Sequence, residues 1–328
     1  MKSRSILILA LILSLAPFTG CISTDEVEEP AEVDKVKVVA TTVPLAAFTK
    51  AVGGDLVEVS VLVPQGANPH TFEPTPSKLS EVAEADLYIK NGAGLEIWME
   101  RIIGANRRML VVDSSSGIDL LEGRCDHDHH HDQGYGGGEM EEEDHHHHHR
   151  PSPRDRHPSI LTADPHIWLS AKNAAIMAEK ICHGLMEVDP ENSDAYRENL
   201  AAFKRELEEL DLELASTFSG ATGGKFIVLH PAWGYFARDY GLVQVAIHEE
   251  DKEPGPKQLR SIVDLARKEE IGTIYVDPSF NPKSGKIIAD EIGGRVVVLD
   301  PLAEDYFDNM RKVAREISSG IRGGGRGG

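Results

Sequence analysis

Histidine is the residue type whose positions in this sequence most directly suggest chemistry. Outside one histidine-rich tract the chain has five histidines: His70, His166, His183, His230 and His248. Three of them, His70, His166 and His230, lie where α/β proteins place ligands, near strand ends or in loops before helices. Asp300 occupies the corresponding position after the last predicted strand. Imidazole and carboxylate groups both ligate Zn²⁺, and a tetrahedral ion takes four ligands. These four residues therefore predict a metal site shared by the two halves of the chain.

A proline stands next to each of the three histidines, at Pro69, Pro165 and Pro231. Proline fixes the backbone angle φ, which limits the entropy lost when a neighbouring side chain coordinates an ion. Taken singly, each histidine is more typical of a structural residue in a protein core. The matching positions of three together favour a shared metal site.

Other residues compete for roles in such a site. Asp277 ends another predicted strand and is the alternative to Asp300 as the carboxylate ligand. His183, inside a helical pattern, and His248, before an acidic loop, are interpreted as structural. The sequence has no Gly-x-Ser-x-Gly elbow, phosphate-binding loop or dinucleotide fingerprint, which weakens the common hydrolase, ATPase and dehydrogenase interpretations.

A second group of histidines lies in one polar segment, residues 122–158. Of the 15 histidines in the chain, ten fall between Cys125 and His157. The segment has no apolar face, so we expect a solvated insertion that binds metal weakly. Its candidate low-affinity ligands are His127, His129, His130, His131, His145, His146, His147, His148 and His149. One hypothesis is a collector that passes metal to the main site, and the other is a linker with incidental metal affinity.

Short β-branched runs alternate with helical patterns through the rest of the chain. Strands are predicted at 36–42, 57–63, 86–90 and 109–114, then at 225–230, 243–248, 273–277 and 295–300. Helices are predicted at 44–52, 76–84, 95–103, 167–186, 231–240, 257–270, 284–292 and 304–319. Nearly continuous apolar strands between amphipathic helices favour parallel sheets covered on both faces. We therefore predict an α/β fold of two lobes, each with a four-stranded parallel sheet flanked by helices.

One long helix is predicted between the two halves, over residues 193–218. Its apolar residues recur every three or four positions: Leu200, Phe203, Leu207, Leu210 and Leu214. At 1.5 Å per residue this helix would reach about 39 Å, enough to bridge two lobes. An ordinary packing helix is the alternative. The predicted division is an N-terminal lobe at 36–190, a bridging helix at 191–219, a C-terminal lobe at 220–321 and a glycine-rich tail at 322–328.

The N-terminus has the pattern of an export signal. Lys2 and Arg4 precede an apolar run, residues 6–16, which is too short to span a bilayer. Small residues then lead to Cys21, as in a lipobox, although Phe18 stands where a strict lipobox has Leu. We predict a lipoprotein signal peptide at 1–21, lipidation of Cys21 and an acidic tether at 22–35. The protein is then expected at the outer face of the cytoplasmic membrane or in the periplasm, and a plain cleaved signal peptide is the alternative.

Composition excludes some partners. The chain has 328 residues, and its 34 Lys and Arg against 54 Asp and Glu give a net charge of −20. With no basic stripe, such a charge argues against nucleic-acid binding. Three cysteines cannot form a disulfide framework. Cys182 is interpreted as packed in a helix, and a bridge between Cys125 and Cys182 stays open.

Four sequence blocks are distinctive: VLVPQGANPHTFEPTPSKLSEVAEADLYIKNGAGLE at 61–96, DPHIWL at 164–169, HPAWGYFARDYGL at 230–242 and LDPL at 299–302. In this order they resemble one known family, the metal-type substrate-binding proteins of zinc and manganese ABC transporters. The similarity runs from about residue 36 to 321. The resemblance implies a metal held in the cleft between two α/β lobes that one long helix joins, with little relative movement of the lobes.

Carried over block by block, the resemblance implies His70, His166, His230 and Asp300 as ligands, and it favours Asp300 over Asp277. Manganese-type members have glutamate at the third position, whereas zinc-type members have histidine, as here. Imidazole also suits Zn²⁺ better than Mn²⁺, so the expected cargo is Zn²⁺, and other divalent metals are the alternative. A histidine-rich insertion is likewise typical of zinc-type members.

The expected function is binding rather than catalysis. The resemblance implies a monomer that captures Zn²⁺ and docks on a membrane permease driven by a separate ATPase. A secreted zinc hydrolase is the first alternative, with Glu73 as its only obvious general base. The absence of a His-Glu-x-x-His motif weakens this alternative. A surface adhesin on the same scaffold is a third class.

Overall fold

Two parallel sheets organise the chain. The structure, a computed structural model, describes residues 34–123, 163–248 and 254–323. Its strands are β1 (Val36–Ala40), β2 (Val57–Val61), β3 (Leu87–Lys90), β4 (Leu110–Asp113), β5 (Lys225–Val228), β6 (Val243–Ala246), β7 (Thr273–Val276) and β8 (Arg295–Val298). The sheet orders are β2-β1-β3-β4 and β6-β5-β7-β8, and every pairing is parallel. The predicted pair of four-stranded parallel sheets is confirmed.

Helices connect the strands and cover the sheets. They are α1 (Val43–Gly53), α2 (Pro76–Ala83), α3 (Met99–Ala105), α4 (Ala171–Val188), α5 (Ser193–Thr217), α6 (Gly234–Asp239), α7 (Pro256–Lys268), α8 (Lys283–Ile292) and α9 (Tyr306–Gly323). Proline occupies the first turn of α1, α2 and α7. The N–H groups of a first turn have no partner within the helix, so proline, which has no N–H, is well suited to the start of these helices.

The long helix α5 joins the two halves through a common core. It has 25 residues and packs against α1 and α4 from the first half and α9 from the second. Leu207, Leu210 and Leu214 on this helix are buried. They belong to one apolar cluster that also contains Val38 of β1 and Phe226 of β5. Each sheet also packs a smaller cluster on its other face. The two lobes thus share one close-packed core.

Helix α3 begins later than the sequence predicts. A helix was expected over 95–103, but residues 95–98 are not helical and α3 starts at Met99. The preceding residues Gly92, Ala93 and Gly94 all have positive φ, which a right-handed helix cannot accommodate. The buried Glu96 carboxylate accepts hydrogen bonds from the backbone N–H groups of Asn91 and Gly92. Glu96 therefore fixes this turn and delays the helix.

The helix predicted over 167–186 divides into two elements. Residues Ile167–Leu169 form a single 3₁₀ turn, and α4 starts at Ala171. Ser170 between them has an extended backbone, and its side chain accepts a hydrogen bond from the N–H of Asn173. An N-cap of this kind requires non-helical φ and ψ, so it separates the turn from the helix.

Differences at the chain ends are smaller. Helix α9 runs through Gly323, two residues into the predicted glycine-rich tail.

Some predicted segments lie outside the described residues. They are the signal peptide with Cys21, most of the tether, and residues 124–162 with Cys125 and the clustered histidines. Within the described ranges, no helix combines the length and apolar composition needed to cross a bilayer.

Candidate metal centre

Three of the predicted ligands meet in the structure. His70 lies in the loop between β2 and α2, His166 immediately precedes the 3₁₀ turn, and His230 follows β5 by two residues. The Nε2 atom of His166 lies 3.1 Å from Nε2 of His70 and 3.1 Å from Nε2 of His230. One ligand atom from each histidine lies within 4.8 Å of the other two. Histidines up to 160 positions apart in sequence therefore form one group.

The spacing of this group suits a tetrahedral ion. With metal–nitrogen bonds of about 2.05 Å, two nitrogens of a tetrahedral zinc site lie about 3.3 Å apart. Two of the three Nε2 pairs, at 3.1 Å each, are already close to that separation. The three imidazoles therefore need little rearrangement to hold a single ion.

His166 is oriented by a neighbouring carboxylate. Asp164 Oδ1 accepts hydrogen bonds from the His166 ring at Nδ1, over 2.7 Å, and from its backbone N–H, over 2.9 Å. A carboxylate only accepts, so Nδ1 of His166 carries the proton and Nε2 presents its lone pair to the centre. A carboxylate behind a ligating imidazole is a common arrangement in metal sites.

His230 is supported by an aromatic ring. Phe280, in the loop between β7 and α8, stacks on the His230 ring with centroids 4.4 Å apart and planes 19° apart. The Nδ1 atom of His230 is buried and has no hydrogen-bond partner among the described residues. Away from the centre of the group, stacking therefore holds the His230 imidazole, whereas hydrogen bonds to Asp164 hold that of His166.

Burial keeps two of the imidazoles neutral. The pKa of His70 is lowered to about 3, chiefly by burial and also by the neighbouring His166, while Asp164 opposes the shift. Burial also lowers the pKa of His230 well below its usual range, with smaller contributions from His166 and His70. Neutral imidazole is the form that binds metal, so His70 and His230 are already in their binding form without an ion.

Both candidate carboxylates lie at the same edge of the second sheet. Asp277 directly follows β7, and Asp300 follows β8 by two residues. Burial raises the pKa of Asp277, and the nearby charge of Asp300 raises it as well. In the described part of the chain, neither carboxylate joins the group of ligand atoms within 4.8 Å formed by the histidines.

The other candidate residues lie elsewhere. His183 is exposed on α4, and His248 is buried after β6 with its ring centroid 6.1 Å from that of Phe280. Cys182 is buried, as the sequence predicted. The side chain of Glu73 is 84% exposed and lies 3.8 Å from the Arg101 guanidinium, so it faces solvent rather than the histidines.

A cavity of about 560 Å³ adjoins the three histidines. Both halves of the chain line it, with Leu95 and Ile97 from the first and Leu242 and Val243 from the second. Glu122 and Ala163, which form an isolated antiparallel bridge, lie at its wall. His70, His166 and His230 all line this cavity.

Sequence reasoning missed the residues that position the ligands. Asp164 stands two residues before His166, and this Asp-x-His spacing is a signal that could have identified it. Asn91 donates from Nδ2 to the carbonyl of Pro165 over 2.8 Å, and Phe280 stacks on His230. Nothing in the sequence indicates these last two contacts, because each depends on the packing of distant segments.

Comparison with known proteins agrees with this architecture. A family described as zinc-uptake complex component A, periplasmic (ZnuA), matches residues 38–320. The chain is 31% identical over 326 residues to the zinc-binding protein AdcA of Streptococcus pyogenes, covering 95% of this chain and 60% of AdcA. It is 33% identical over 274 residues to the high-affinity zinc uptake system protein ZnuA of Bacillus subtilis. This match covers 82% of this chain and 79% of that ZnuA.

A crystal structure of ZnuA superposes with a TM-score of 0.75 at 38% identity, covering 88% of this chain and all of that one. The chain thus spans about three-fifths of AdcA but the whole of the solved ZnuA chain. The family match extends across both sheets, the long helix and all three clustered histidines. The chain belongs to the ZnuA family of zinc-uptake components.

Proposed function

We propose that this protein captures Zn²⁺ outside the cytoplasm and delivers it to the permease of an ABC transporter. The observation that carries the proposal is the convergence of three imidazole Nε2 atoms between the two halves of the chain. Family membership and the names of the AdcA and ZnuA relatives support zinc as the cargo. The role is one of binding and transfer, so we assign no catalytic residue.

The proposed ligands are His70, His166, His230 and Asp300. Asp300 Oδ1 accepts a hydrogen bond from the N–H of Leu302 over 2.8 Å, so Oδ2 is its proposed ligand atom. An anionic fourth ligand would offset part of the charge of the ion, which three neutral imidazoles leave uncompensated. Four protein ligands also suit capture, because no coordination position is reserved for a reacting molecule.

The donor set favours zinc over manganese. Mn²⁺ prefers oxygen ligands, whereas imidazole suits Zn²⁺ and Cu²⁺. With histidine at position 230, nitrogen donors outnumber oxygen donors in the proposed set. We therefore propose Zn²⁺ as the cargo and expect Mn²⁺ to bind much more weakly.

Location and partners follow from the N-terminal pattern and the family. We propose that Cys21 is lipidated and holds a monomer at the outer face of the membrane, where it meets the permease and its ATPase. The shared core around α5 supports release by small shifts between the lobes rather than by wide opening. For the histidines within residues 122–158, we retain low-affinity zinc binding as a secondary role. Unchanged zinc uptake after deletion of that segment would remove this role.

The test is zinc stoichiometry and affinity measured by chelator competition. The protein would start near Ser23 and lack residues 122–158, so that the clustered histidines do not contribute. We expect one tightly bound ion, strongly weakened affinity in His230→Ala, and unchanged affinity in His183→Ala, whose exposed histidine lies outside the group. If the ion binds weakly, or if the two variants behave alike, the proposed site is wrong.

A further inference from the structure

The two buried histidines of the site are restrained in different ways. His166 is restrained by polar contacts, because Asp164 bonds both its ring and its backbone. Asn91 adds a hydrogen bond to the carbonyl of Pro165, directly before His166. Trp168, two residues after His166, donates from its indole N–H to the carbonyl of Pro301 over 2.7 Å. These contacts fix both the ring of His166 and the backbone that carries it.

The His230 ring has fewer polar restraints than His166, because its Nε2 atom faces the Nε2 atom of His166, over 3.1 Å, on the side where the ion would bind. No described residue makes a hydrogen bond to its Nδ1 atom, and its neighbours His70 and His166 contact it edge-on, with interplanar angles of 64° and 74°. Among the described residues, the ring that stacks parallel to His230 is that of Phe280, with centroids 4.4 Å apart. Rotation of the His230 ring about its Cβ–Cγ bond is therefore opposed chiefly by the Phe280 ring.

Hydrogen bonds hold the loop that carries Phe280. It follows Asp277 in the loop that leaves β7, where the N–H of Phe280 donates to the Asp277 carbonyl over 3.2 Å. Ser279 donates from its N–H and its hydroxyl to Asp277 Oδ1, both over 2.7 Å. These hydrogen bonds hold the start of the loop, at Asp277. Its aromatic ring packs against His230 and is not among the residues that line the large cavity.

We propose that Phe280 is the positioning residue for His230 and that it sets the rate at which zinc leaves the site. This inference rests on the proposed function. Zinc leaves a four-coordinate site by the breaking of one metal–ligand bond at a time. Of the two buried histidines, His230 is held by stacking and is less restrained than His166, so its bond to the ion should break before that of His166. Stacking by Phe280 therefore slows the loss of the His230 bond.

The experiment compares zinc dissociation in three variants of the full chain. Each protein is loaded with one equivalent of Zn²⁺ and mixed with excess chelator, and the dissociation rate is followed by stopped flow. Phe280→Leu removes the ring but keeps an apolar side chain, and Phe280→Tyr keeps the stacking surface. Phe307→Leu is the matched control, because Phe307 is a half-buried ring that packs on Phe203 and Tyr306 away from the histidines.

We expect Phe280→Leu to accelerate zinc dissociation about 10- to 100-fold, the range seen when support of a metal ligand is lost. The association rate should change little, and Phe280→Tyr should restore slow release. Cobalt-substituted Phe280→Leu should also show altered visible absorption, a readout of coordination geometry that a loss of global stability would not move.

Three results would overturn the inference. They are an unchanged dissociation rate in Phe280→Leu, equal acceleration in Phe280→Leu and Phe280→Tyr, or equal acceleration in Phe307→Leu. Each would leave the proposed function intact as long as the unaltered chain binds one zinc tightly. Failure of the unaltered chain to bind zinc tightly would instead refute the proposed function itself.

Discussion

Asp164 Oδ1 lies 2.7 Å from the Nδ1 atom of His166, on the side of the ring opposite the centre where the three Nε2 atoms meet. The same oxygen also accepts the backbone N–H of His166. One carboxylate thus fixes the tautomer and the orientation of the histidine that lies nearest to both others. The tyrosine hydroxyl of Tyr235 donates to the Asp164 carbonyl over 2.7 Å, which ties this residue to the second half of the chain.

Replacing Asp164 by alanine should weaken zinc binding without preventing folding. Without the acceptor, the His166 ring can rotate and adopt the other tautomer, which places a proton on Nε2. We expect the dissociation constant for zinc to rise about 10- to 100-fold, measured by chelator competition. Asp113→Ala is a suitable control, because Asp113 bonds Lys90 and Ser115 at the first sheet rather than a histidine. Equal losses in both variants would contradict the orienting role.

Gly234 protects the same hydrogen bond by its lack of a side chain. A Cβ atom at position 234 would lie 2.7 Å from Asp164 Oδ2, closer than van der Waals contact allows. Gly234→Ala should therefore push the Asp164 carboxylate away from His166 and weaken zinc binding, though less than Asp164→Ala does. Gly104→Ala in α3 is the control, because its Cβ would meet nothing within 4 Å. That control should keep the affinity of the unaltered protein, and Gly234→Ala should not.

The metal-free protein should lose stability as the pH falls from 6.5 towards 3. The pKa of His70 is about 3 in the folded chain and near 6.5 in the unfolded chain, so between these values the unfolded chain holds an extra proton. Protonation then favours unfolding, and each such histidine contributes up to about 1.4 kcal/mol per pH unit. His230, whose pKa is also lowered, acts in the same direction.

Urea unfolding of metal-free protein at several pH values between 5 and 6.5 measures this dependence. In His70→Ala the free energy of unfolding should change less steeply with pH, whereas His183→Ala should match the unaltered protein. Comparing variants removes the contribution of the carboxyl groups, which all of them share. Parallel curves for His70→Ala and the unaltered chain would show that burial does not shift the pKa of His70.

The long helix should couple the stability of the two lobes. Leu210 is fully buried in the core that both sheets share, whereas Leu212 in the same helix is 65% exposed. Leu210→Ala should cost about 2–5 kcal/mol of unfolding free energy, as buried leucines do. Leu212→Ala should stay within about 0.5 kcal/mol of the unaltered protein. Thermal unfolding followed in both lobes should show one transition, and separate transitions would contradict a common core.

Much of the fold could be predicted from local pattern. The eight strands and the long helix follow from apolar runs and from three- and four-residue spacing, which the chain carries within short windows. The start of α3 could not be predicted from local pattern, because it depends on the buried Glu96 carboxylate and on the positive φ of residues 92–94. The break at Ser170 likewise depends on a cap that competes with a helical pattern on both sides.

The sequence by itself indicated the three histidines that meet in the structure, because each lies in a loop beside a proline and the ends of parallel strands meet at one edge of a sheet. Tertiary structure alone decided how those histidines are held. The contacts of Phe280 with His230, of Asn91 with Pro165 and of Trp168 with Pro301 join segments 50 to 133 residues apart. Burial also depends on packing. Burial lowers the pKa of His70 and His230 and so keeps both imidazoles in the neutral form that binds metal. Local sequence specifies residue types and turns, whereas distances and desolvation arise only when both lobes pack around α5.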